Sequence, residues 1–293
     1  MKGQLKTVAL LGLLTGLLVL IGYSLYGPQG AVLGLVMAAF TNFGSWFYSD
    51  KIALSAYRAQ PIDRQQAPAI YDMVEKLANK ADIPMPGVYV VPGQAANAFA
   101  TGRDPEHAAV AVTEGIVNAL SSEELEGVLA HELTHIINRD TLTQAVAATL
   151  GGAVAFIAQM LQYSMFFGGN RNRDGGGANP LALMATIFLA PMAATVIQMG
   201  ISRTREFAAD AGAAKLTGNP RALANALKRL EASAQRMPMQ ANPAFEPLLI
   251  VNALPQQMFR SLFSTHPSTD DRVARLLEIE QELSTGRGMS VSL

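Results

Sequence analysis

Two histidines and a glutamate stand together in "VLAHELTHIINRD", residues 128–140, at a spacing that suits a metal ion. On an α-helix, positions four apart differ by about 40° of rotation and one turn of rise. His131 and His135 therefore project from one face and can share a small ion. Glu132 stands beside the first of them, where its carboxylate reaches a water on the ion rather than the ion itself. Two imidazoles and an adjacent glutamate base on one helix are the arrangement of a zinc hydrolase. The chain has no cysteine, which excludes disulfides, thiolate metal sites and cysteine nucleophiles. Any further ligand must come from His, Asp or Glu.

A catalytic zinc site needs a third protein ligand and an open position. The pattern H-E-x-x-H-x-x-G-x-x-H is not met, because its last two fixed positions hold Asn138 and Thr141. His107 and His266 qualify as ligands by residue type alone. A better candidate lies in "SRTREFAAD", residues 202–210, where Glu206 and Asp210 also share a helix face. Glu206 can ligate the metal while Asp210 accepts a hydrogen bond from a ligand imidazole and fixes its tautomer. Two other residues have weaker signals. Asn97 opens "NAFATG", a β-type piece that as an edge strand could pair with an extended substrate. His266, before a proline in "THPSTDDR", is placed to donate to the oxyanion of a tetrahedral intermediate. His107, in "RDPEHAAV", reads as a loop-tip residue with no role.

The elements that must position these residues alternate between apolar and water-compatible segments. Half of the residues are hydrophobic and only 15% are charged, which is unusual for a soluble globule. Four apolar runs read as membrane spans, at about 8–26, 31–48, 145–167 and 181–201. The first two form an uncleaved hairpin rather than a signal peptide, because a second apolar run follows at once and the cleavage site is poor. Buried helices of a soluble core are the competing reading of the last two runs, although small residues such as theirs suit close packing of membrane helices. Lys and Arg gather in the segments 49–140 and 202–293, which places both in the cytosol. An antiparallel membrane hairpin over 141–201 would then return Glu206 to the surface from which His135 departs.

Within the first polar segment the pattern predicts a helix over about 65–80 and strands at Gly87–Val91, Asn97–Ala100 and Ala108–Val112. The metal helix follows, with a capping box from Ser121 to Glu124 and apolar positions at Leu125, Val128, Leu129 and Ile136. The second polar segment is mainly helical, with Asn219-Pro220 opening a helix to about Arg236 and Asp270 or Asp271 opening another to about Leu283. The expected class is mainly α with a small β-sheet. A net charge of −1 gives no basic footprint, so no nucleic-acid partner is expected.

With these motifs in place, the whole chain resembles the HtpX family of membrane-bound zinc metalloproteases, relatives of the prenyl-protein CAAX protease. The stretches that carry the likeness are "NAFATG", "AVAVTEG", "AHELTHIINRD", "SRTREFAADAGAAKL" and "THPSTDDR", in the family's order. The resemblance implies a gluzincin-like protease domain built around four transmembrane helices, with one Zn2+ per chain. It implies His131, His135 and Glu206 as ligands, Glu132 as the catalytic base, Asp210 as partner of a ligand, and Asn97 and His266 near the substrate. It further implies an inner-membrane endopeptidase, its site facing the cytosol, that degrades misfolded or damaged membrane proteins as part of stress-linked quality control. Thr204 and Ala208 depart from relatives that carry histidines there, at positions the ligand set does not use. A CAAX-type processing protease and a non-catalytic membrane scaffold with a structural zinc are the alternative readings.

Overall fold

The computed structural model describes residues 2–151, 203–237, 248–250 and 267–285. The chain is mainly helical with one small mixed sheet. It begins with helix Lys2–Phe47, broken where Tyr26 leaves helical geometry and Gly27 takes φ 61°, with Pro28 next. Glycine enters this left-handed region at little cost, and proline cannot donate to the turn before it. The break folds the helix into two arms. A Cβ built on Gly34 would lie 2.3 Å from the Leu18 carbonyl oxygen, so the arms touch backbone to backbone, as small residues allow between membrane helices. Asn42 Nδ2 donates across the arms to Thr15 Oγ1 at 2.9 Å and to the Leu11 carbonyl at 3.2 Å.

The outward faces of this hairpin are apolar, with Val8, Leu20, Phe40 and Phe43 all exposed. Among the described residues, Tyr26–Phe47 is the one helix long and apolar enough to cross a membrane, at 22 residues and a mean hydropathy of 1.4. Thr7–Leu20 is a shorter apolar helix. Of the two later runs expected to span, only 145–151 falls within the described residues; there Val146, Ala147 and Leu150 pack against Leu10 and Leu14 of the first arm.

Helix Ser49–Ala56 leads from the hairpin to the sheet. The sheet has the order β1-β2-β4-β3, with β1 Gln60–Pro61, β2 Gly87–Val91, β3 Ala98–Gly102 and β4 Ala108–Thr113. β2 runs parallel to β4, whereas β1 and β3 are antiparallel to their neighbours. β3 lies at one edge. Gly102, at φ 126°, makes the turn out of β3, where a Cβ would lie 2.3 Å from the His107 carbonyl oxygen.

The expected helix over 65–80 begins instead at Pro68. Asp63 Oδ1 accepts from the backbone N–H groups of Gln65 and Gln66, and this side-chain turn holds both residues out of the helix. The capping box at Ser121 and Glu124 forms in both directions and starts the histidine helix, Ser122–Ile137. From Gly127 to Ile136 every residue of that helix is buried. The sequence pattern marks one apolar face, but β3 and the helices Arg203–Thr217 and Pro220–Arg236 all pack against this helix. Helix Thr269–Ser284, capped by Ser268 Oγ, closes the same core through Val273, Leu276 and Ile279.

Candidate metal centre

His131 and His135 lie one turn apart on the central helix, and helix Arg203–Thr217 crosses it, bringing Glu206 to them. The Nε2 atoms of the two histidines are 3.2 Å apart. Glu206 completes a triangle, with Oε2 at 3.7 Å from His131 Nε2 and Oε1 at 3.6 Å from His135 Nε2. A tetrahedral ion with bonds of about 2.0–2.1 Å separates its ligand atoms by roughly 3.3–3.4 Å. All three side chains are buried, and among the described residues they form the group of donors able to hold an ion.

The protonation of the rings calls for a cation at this point. His131 Nδ1 lies 2.9 Å from Asp210 Oδ1, and His135 Nδ1 lies 3.3 Å from Asp140 Oδ2. Each Nδ1 is thus turned to a carboxylate that accepts from it, which turns the two Nε2 atoms toward one another and toward the Glu206 carboxylate. Arg272 Nη2 is 3.4 Å from His131 Nδ1, but a protonated nitrogen donating to Asp210 cannot also accept from a guanidinium, so this is a contact only. Considering protein groups alone, burial holds His131 down to about 4. Burial also opposes charge on His135, but Asp140, Glu206 and Glu132 outweigh it and push that ring up to about 9. The acidic surroundings thus favour positive charge between the rings. In charge terms, Glu132, Asp140, Glu206 and Asp210 face the guanidiniums of Arg205 and Arg272. With all six ionised and both imidazoles neutral, as metal ligands must be, two negative charges remain, which suits a divalent ion.

Glu132 lines the same pocket as His131, His135 and Glu206, and its carboxyl is pushed up to about 7, first by burial and also by the charge of Glu206. The backbone N–H of Ala100 in β3 works the other way by hydrogen-bonding the carboxylate. The rest of the pocket wall is Gln144 and the apolar triplet Leu248, Leu249 and Ile250. Asp210 is held well below the usual carboxylate range: burial opposes this, but the Arg272 guanidinium and His131 prevail.

Asn97 is buried outside the pocket lining, and its Oδ1 accepts from the backbone N–H groups of Ala98 at 3.0 Å and Ile250 at 3.1 Å. His266 lies outside the described residues. His107 is exposed and paired with Asp104 at 2.6 Å, apart from the metal group. Sequence reasoning missed Asp140, Gln144, the 248–250 wall and Arg272. Asp140 stands within the very stretch that carries the histidines, and Arg272 ends the "THPSTDDR" motif.

The family described as Peptidase family M48 matches residues 64–280. A protein named Protease HtpX homolog from Nostoc punctiforme is 62% identical over 286 residues, covering 97% of this chain and 99% of its own. A homologue of the same name from Trichormus variabilis is 63% identical over 287 residues, with the same coverage of both chains. The crystal structure of Ste24p from S. mikatae shares the fold at a TM-score of 0.52 and 19% identity, covering 93% of this chain and 65% of that one.

Proposed function

The chain belongs to peptidase family M48 and is a membrane zinc metalloprotease; from that premise we propose that it is an endopeptidase acting on misfolded or damaged membrane proteins. The observation that carries the reading is the triangle of His131, His135 and Glu206 with the carboxyl of Glu132 in the same pocket.

His131 and His135, through Nε2, and Glu206, through its carboxylate, would hold the zinc. Bound there, the ion supplies Lewis acidity, polarising a substrate carbonyl and lowering the pKa of water to about 7. Asp210 and Asp140 keep the proton of each ring on Nδ1 and so leave both Nε2 lone pairs free to bind. Glu132, in the same pocket as the three ligands, would serve as the base. Its carboxylate takes a proton from the attacking water and returns it to the leaving amine nitrogen. Leu248, Leu249 and Ile250 keep bulk water away from these groups.

The substrate would run extended beside β3, whose edge position supports strand addition. Asn97 would act on it at one remove, through the N–H of Ile250 in the pocket wall. His266, just ahead of the helix that carries Arg272, would donate to the oxyanion. We place four spans in the inner membrane, as hairpins within 1–48 and 141–201, with the protease halves 49–140 and 202–293 in the cytosol. The charge distribution and the apolar faces of the first hairpin support that placement.

The full chain, purified in detergent under chelation and then given zinc, should cleave an unfolded membrane protein. Glu132→Gln should bind zinc as well and lose on the order of 10²–10⁴-fold in rate. A zinc-loaded wild type without proteolysis, or a fully active Glu132→Gln, contradicts the proposal.

A further inference from the structure

Arg272 is a cation in the first turn of its helix, where the macrodipole disfavours positive charge. It is also buried, at 2% exposure. A local choice that conflicts with its own helix is expected where function requires it. The guanidinium meets the Asp210 carboxylate as a fork: Nε donates to Oδ2 at 2.9 Å and Nη2 to Oδ1 at 2.7 Å. Nη1 donates to the carbonyl of Ile250 at 3.1 Å and lies 3.9 Å from Glu206 Oε2. One rigid side chain thus touches the support of one metal ligand, the carboxylate of another and the wall of the substrate pocket.

We propose that Arg272 is a positioning residue of the metal centre, clamping Asp210, and through it the His131 ring, to the pocket wall at Ile250. The inference rests on the zinc-protease reading above. Asp210 Oδ1 receives both Arg272 Nη2 and His131 Nδ1, so the plane set by the fork decides where the ring points. A bidentate guanidinium fixes a carboxylate in plane, whereas a lysine ammonium offers a point charge. A lysine ammonium lacks the planar fork that meets both oxygens of Asp210 while a third nitrogen reaches the Ile250 carbonyl. Because the same guanidinium bonds the wall through Nη1, it acts on substrate binding as well as on the metal.

The test uses the full chain in detergent, with zinc affinity measured by competition against a chelator and the visible spectrum recorded after Co2+ loading. Arg272→Met should weaken zinc binding about 10- to 100-fold, the usual loss when a partner behind a metal ligand is removed. Arg272→Lys should recover only part of that affinity and should shift the Co2+ spectrum. At saturating zinc its kcat should largely return while KM stays raised, a split that general loss of stability does not produce. Wild-type zinc affinity in a folded Arg272→Met overturns the proposal; so does wild-type affinity and spectrum in Arg272→Lys, which decides the matter if the methionine variant does not fold. A wild type that binds zinc yet cleaves no protein counts against the proposed function and leaves the clamp standing.

Discussion

Arg139, at φ 57°, turns the chain out of the histidine helix through the left-handed region, and that single turn lets Asp140 reach back to His135. The paired carboxylates behind the two imidazoles are thus supplied differently, Asp210 by helical spacing from Glu206 and Asp140 by a backbone turn. Removing the second should be felt at the metal. Asp140→Ala is expected to weaken zinc binding about 10- to 100-fold. Asp140→Asn should lose less, because its carboxamide oxygen still accepts from Nδ1; chelator competition ranks the two. This contrast also explains what the sequence reveals. His131 and His135, like Glu206 and Asp210, are legible because helical periodicity alone puts each pair on one face, and Glu132 because it adjoins the first histidine. Asp140 was in view but depends on one residue's φ. Arg272 depends on the tertiary approach of a distant helix, and Asn97 turns out to bond the backbone of Ala98 and Ile250.

At the scale of elements, the centre depends on how closely the two ligand-bearing helices approach. A Cβ built on Gly212 would lie 2.3 Å from Thr134 Cγ2, and Thr134 is buried and bonded to the Ala130 carbonyl at 2.8 Å. The branched threonine has little room to move, so Gly212→Ala must push the Glu206 helix away from the histidines. A cost of about 1–3 kcal/mol is expected from such overpacking. Thermal unfolding should show it, together with weaker zinc binding, and adding Thr134→Ala should restore both. Unchanged zinc affinity in the single variant would show that the crossing does not set the ligand triangle. Element starts were readable where side chains cap them, at Ser121 and Asn219, and the three main strands were readable from β-rich runs. The two-residue β1 was not, because its pairing with β2 comes from the sheet and its own pattern is exposed on both residues.

For the whole molecule, the first hairpin, the sheet and the histidine helix form one fastened unit. Arg103 donates to the carbonyl of Phe47 at 3.2 Å and lies over its ring, while Thr141 Oγ1 donates to the Gly102 carbonyl at 2.8 Å. These contacts tie the end of an apolar hairpin to the turn after β3 and to the chain just beyond the histidines. The metal centre itself joins two stretches far apart in sequence, so its integrity reports on how the histidine helix and the Glu206 helix come together. The zinc content of chains purified from zinc-supplied cells tests this most directly. Equal zinc in the wild type and Glu132→Gln is expected, with almost none in Glu206→Gln, since two histidines alone leave the site short of a ligand. A Glu206→Gln protein that keeps the wild type's zinc would contradict a centre completed by the second half of the chain.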